Sequence, residues 1–191
     1  PWDGHQPFVG SVSSTEAGER HMKWVTRERA KVDRIAYPWL IRRFVDPKAE
    51  FLFVPADRVL EAAEAQDAIP YDTPGAELHH FKVGDDERCS FDAIIRKYKL
   101  TDPALLDMAE IVRTADAHPQ NPRSEGAGLE ALALGFRANA KDDHDNMRLQ
   151  FPAYDALYTF CKLKVEGKGK LERATRRSAW GEGPKRHRGT V

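Results

Sequence analysis

The chain has 191 residues, of which 41% are hydrophobic and 31% charged, and its 30 Lys and Arg balance 30 Asp and Glu. That is enough chain for one compact domain with tails. With no apolar run near the roughly 20 residues of a membrane span and no secretory signal, a cytoplasmic protein is expected. Two cysteines, Cys89 and Cys161, are too few for a disulfide framework and fall in no CxxC zinc spacing.

In chain order, residues 1–21 mix Gly, Ser, Pro and charge without either regular period and read as a leader or linker. The folded domain is expected over 22–167. KWVTR (23–27) alternates as a short strand, and Asp33 is placed to cap a helix running through Phe44, with Pro38 in its early turns. AEFLFVP (49–55) is the best strand in the chain. Ala56–Gln66 has helical spacing, and IPYDTPGAELHHF (69–81) reads as two extended pieces around a Pro-Gly turn.

Ser90 offers an N-cap for FDAIIRKYKL, and Asp102 with Pro103 opens a helix that turns Leu105, Leu106, Ala109, Ile111 and Val112 inward. GLEALALGFRANA (128–140) is a further helix, and DDHDNMRLQFPAYDALYTFCKLKV (142–165) a longer one that Pro152 should break or kink. The fold class is therefore α+β, a mixed α/β N-terminal half followed by a helical C-terminal half in a single compact domain. Residues 168–191 hold eight Lys or Arg against two Glu, a basic tail.

KWVTRERAKVDRIAYPWLIRRFVDPKAEFLFVP, GAELHH, CSFDAIIRKYKL, DPALLDMAEIVRTAD and the later DDH and YDALY segments occur in one order. Together they resemble the C-terminal domain of the chromate-resistance regulator family, from about Lys23 to about Cys161. The chain departs from that family at Tyr37, where members often carry Cys, and keeps Cys89 in its CSFD segment. The resemblance implies response to, or binding of, chromate. The partners it implies are that oxyanion and a regulatory protein or DNA through a separate domain; a homodimer is also expected, and the lack of a long apolar run leaves no membrane partner expected.

Chromate is a tetrahedral dianion, a shape held by forked guanidinium donors and by amides at helix starts. Arg27 and Arg34 lie seven residues apart across the strand-to-helix junction, so both can reach one cavity, with Lys23 or Arg42 assisting. His80, where the family also carries His, is the third candidate. The competing reading pairs Arg34, Arg42 and Arg43 with Asp33, Asp46 and Glu50 as structural ion pairs.

Strand alternation puts Glu77 and His79 on one side of GAELHH and Leu78 and His80 on the other. His80, Glu77, Asp116 and His144 would form the mixed N/O set that one iron, manganese or zinc ion accepts. Two readings follow: an oxyanion-sensing module built on Arg27, Arg34 and His80, or a metal-dependent redox or hydrolytic enzyme. The residues leave turnover open. There is no GxGxxG, GxxxxGK[ST] or GxSxG, so nucleotide-binding and hydrolase-elbow templates have no support.

Overall fold

The computed structural model describes residues 21–117 and 119–167. The expected basic tail, and all of the expected leader except His21, lie outside those residues. KWVTR forms β1 (Lys23–Arg27), whose three central residues are completely buried because both faces of the strand are covered. Trp24 points into the main core, whereas Val25 points into a second, smaller cluster with Val59, Ala63 and Ala68.

The chain continues through α1 (Val32–Phe44) to β2 (Glu50–Val54), then through a short 3-10 turn and α2 (Val59–Gln66) to β3 (Ala68–Pro70). Both β2 and β3 pair in parallel with β1, giving the order β2-β1-β3. Strand order therefore reverses about β1, and the carboxyl ends of β1 and β3 meet at the kind of switch point where open α/β sheets bind ligands.

Helix α1 starts before Asp33. Lys31 is its N-cap, without a side-chain bond, and Asp33 is the second helical residue, 2% exposed. The start is set from outside the helix by α6 (Asp143–Val165), since the Asp143 carboxylate accepts the Arg29 and Ala30 amides at 2.7 Å each. Asn146 and Tyr154 of α6 donate to the carbonyls of Ala30 and Val32. Pro38 stays inside α1 although it cannot donate to the Arg34 carbonyl; the Tyr71 hydroxyl reaches that oxygen at 3.4 Å.

Residues 71–80 form the loop that carries the site. Thr73-Pro74-Gly75-Ala76 is a tight turn closed by Ala76 N–H on the Thr73 carbonyl at 3.1 Å, with Gly75 at φ 86°. Pro then Gly at the two central positions is the type II preference. Thr26 donates its hydroxyl to the Tyr71 carbonyl, and the Asp72 amide donates to Leu78. Tyr71 stacks on Tyr37 at 4.1 Å, so Asp72 leaves a rigid aromatic base.

The antiparallel hairpin β4 (Phe81–Val83) and β5 (Asp86–Arg88) follows, then α3 (Ser90–Lys97). Cys89, not Ser90, is the N-cap of α3. The Asp92 carboxylate reaches back to the Cys89 amide at 3.1 Å, which leaves the Ser90 hydroxyl free to bond elsewhere. Helix α4 (Pro103–Asp116) is capped by Asp102 as expected, with Leu105, Ala109, Ile111 and Val112 buried, but Leu106 is 44% exposed.

Helix α5 (Ser124–Asn139) begins four residues before the expected start, and α6 runs unbroken past Pro152. The carbonyl that Pro152 leaves unpaired belongs to the exposed Arg148, where water can satisfy it. Strands occupy the first half and helices most of the second, an α+β domain. Among the described residues no helix is long and apolar enough to cross a membrane.

Candidate functional site

Four segments converge at the carboxyl ends of β1 and β3. Arg27 ends β1, Asp33 and Arg34 open α1, Asp72 and His80 flank the turn after β3, and Asp116 ends α4. Asp72 is the hub. Its Oδ2 takes Arg27 Nη2 at 2.9 Å and lies 3.3 Å from Arg34 Nε, while Oδ1 accepts the Ser90 hydroxyl at 3.0 Å. The Arg34 Nε contact is an ion pair without hydrogen-bond alignment, since that nitrogen has no hydrogen-bond partner.

His80 Nε2 faces three carboxylates: Asp116 at 3.1 Å, Asp33 at 3.6 Å and Asp72 at 3.7 Å. Its Nδ1 meets Glu87 at 3.3 Å. The Asp33 and Asp72 separations are charge contacts too long for hydrogen bonds. The carboxylates facing it, Asp116 first, then Asp33, with Glu87 on the other nitrogen, outweigh partial burial and hold the imidazole protonated, with its pKa pushed up to about 11. Burial pushes the Asp33 carboxyl up to about 7; His80 works against this, and the charges of Asp116 and Asp72 add to it. Four carboxylates thus stand against two guanidinium groups and one imidazolium.

The centre opens into a cleft of about 580 Å³ lined by Arg27, Asp72, Thr73, Pro74, Gly75, His79 and His80. Arg27 is the accessible cation, with its side chain 38% exposed against 12% for Arg34. His79 projects outward to the rim, its Nδ1 on the Ala76 carbonyl, as alternation along GAELHH requires.

Arg27, Arg34, His80 and Asp116, four residues expected at a site, are therefore brought together. The others are not. Lys23 starts the strand that Arg27 ends, about 13 Å away at about 3.3 Å per residue. Arg42, two turns beyond Arg34 on α1, bonds the Ala49 carbonyl and lies over Phe51. Glu77 points outward and pairs with Lys97 at 2.6 Å. His144 stands edge-on to Phe53 at 5.3 Å beside β2. Nor do the expected structural pairs form: Arg34 takes Asp72, Arg43 takes Asp155, and Arg42 takes a carbonyl.

Asp33, Asp72, Ser90 and Glu87 are the residues that sequence reasoning missed. Reading Asp33 and Ser90 as helix caps hid both. Asp72 carried a weak signal, an acid just before a Thr-Pro-Gly turn. Glu87 follows from strand alternation, which turns it away from Asp86 and Arg88, themselves bonded to each other at 2.9 Å.

The family model described as ChrB, C-terminal domain matches residues 24–161. Protein ChrB of Cupriavidus metallidurans (strain CH34) is 33% identical over 138 residues, covering 72% of this chain and 40% of that protein. The chain thus corresponds to well under half the length of that curated relative. No solved structure matches.

Proposed function

Since the chain belongs to the ChrB C-terminal domain family, we propose that it serves chromate resistance in the cytoplasm by receiving a small tetrahedral oxyanion in the cleft over Asp72 and His80. One observation carries this reading: Arg27, Arg34 and His80, from three separate segments, meet around a single carboxylate at the sheet's switch point. Asp72 is their internal counter-ion, and an oxyanion entering the cleft takes over the Arg27 contact from it. Arg27 suits that exchange because its side chain is the more exposed of the two guanidinium groups. Arg34 is tied to the carbonyls of Arg27 and Glu28 and holds Asp72 from behind. Occupancy would reach a regulatory protein or DNA through a separate domain.

Calorimetric titration with chromate, using sulfate as competitor, tests the reading. Binding should weaken by about 10- to 100-fold in Arg27→Gln, the loss of one charge-assisted bond. Absence of any chromate heat at millimolar concentration overturns it.

A further inference from the structure

We propose that Asp33, Asp72 and His80, with Asp116 beside them, form a binding site for one first-row divalent transition-metal ion, manganese or iron(II) being the class that a one-nitrogen, carboxylate-rich set suits. One ligand atom from each of the first three lies within 4.8 Å of the others. Metal–ligand bonds of about 2.0–2.2 Å put neighbouring ligand atoms roughly 3.0–3.6 Å apart. Asp116, Asp33 and Asp72 stand 3.1, 3.6 and 3.7 Å from His80 Nε2, so the ion enters by small rotations as it displaces the Nε2 proton to solvent.

A second, independent observation points the same way. Asp33 is 2% exposed, and its Oδ2 has no hydrogen-bond partner although it is directed at the imidazole nitrogen. Buried carboxylate oxygens normally find donors, and a bound cation is one group that satisfies an oxygen lacking them.

The surroundings are those of a built site. Arg27 and Arg34 hold one oxygen of Asp72 and Ser90 the other, fixing its orientation. Glu87 at Nδ1 turns Nε2 toward the acids, the carboxylate–histidine–metal arrangement that orients ligating imidazoles. The cleft that Asp72 and His80 line supplies the entry path. Glu77 and His144, the other residues the sequence suggested, take no part. This inference does not depend on the oxyanion reading; a bound dication would also offset the acidic excess of the centre.

The test is Mn²⁺ titration of the full chain in an oxyanion-free buffer, following the free-ion signal by electron paramagnetic resonance. Wild type should take up one equivalent, and Asp33→Asn and His80→Gln should each bind at least about 100-fold more weakly, beyond the 10- to 100-fold typical of outer contacts. Glu87 has its side chain 47% exposed, so Glu87→Gln should keep its melting temperature yet lose about 10- to 100-fold in affinity, with Glu87→Asp recovering part. That pair keeps the proposal open to refutation even where a buried variant fails to fold. Absence of Mn²⁺ and iron(II) uptake by wild type at millimolar concentration overturns the inference, as does one-equivalent binding that all three substitutions leave intact. Failure of chromate to bind in the calorimetric experiment removes only the oxyanion reading.

Discussion

Cys161 and Cys89 are completely buried free thiols, and each is held in its neutral form. Burial, with the nearby Asp107 charge second, pushes Cys161 from its ordinary 9.0 to about 12; burial and Asp92 push Cys89 well above the same value. Folding favours the protonated thiol, so the contribution of Cys161 to stability is complete below pH 9 and is lost as pH rises through about 12. Thiolate, not thiol, attacks electrophiles. At pH 9, native protein should therefore react with iodoacetamide more than about tenfold more slowly at both positions than the urea-unfolded chain, read by mass spectrometry of timed samples. Equal rates would show that these thiols are open to solvent.

Between elements, the tightest approach to a glycine among the described residues is α5 on α4. A Cβ at Gly126 would collide with Thr114 Cγ2 and lie 2.6 Å from Thr114 Cβ. Thr114 cannot retreat easily: it is β-branched, donates to the Glu110 carbonyl and accepts the Arg123 amide that leads into α5. Gly126→Ala should thus destabilise by about 1–3 kcal/mol through overpacking. Gly128 and Gly135 lie on the same helix with nothing within 4 Å of a built Cβ. Alanine there should stabilise by up to about 1 kcal/mol through helix propensity alone. Urea melts of the three variants check the opposite signs in one element.

At the scale of the whole molecule, helix α6 clasps the junction between β1 and α1. Asp143 holds the amides of Arg29 and Ala30, Asn146 the Ala30 carbonyl and Tyr154 the Val32 carbonyl, contacts that span more than a hundred residues. The clasp fixes the loop immediately before Asp33 and Arg34, so the helical half of the chain positions a site that the sheet half supplies. Asp143→Ala should cost about 1–2 kcal/mol, the scale of two lost amide partners in a partly solvated setting. Amide exchange should accelerate at Arg29 and Ala30, while α6 keeps its helicity because Asp142 caps it. Unchanged exchange at those two amides would show that the clasp is idle.

Sequence periodicity and turn chemistry determined the α+β class, the order of the helices and of the first three strands, and the Pro-Gly turn, because these depend on residues near one another in the chain, whereas the short β4–β5 hairpin was not legible. Motif order indicated the family, and residue chemistry together with that resemblance named Arg27, Arg34, His80 and Asp116. Which acids stand beside His80 was decided only by the tertiary structure. Asp33 is an acid in a helix's first turn like many others; it becomes a buried ligand candidate because α6 pins the preceding loop and the switch point of the sheet brings Asp72 opposite. Glu77 and His144, plausible by type, lie apart from His80: one faces Lys97 and the other Phe53. Local propensity acts through a few neighbouring residues, whereas a site of this kind is a meeting of segments whose distance and facing are set by packing.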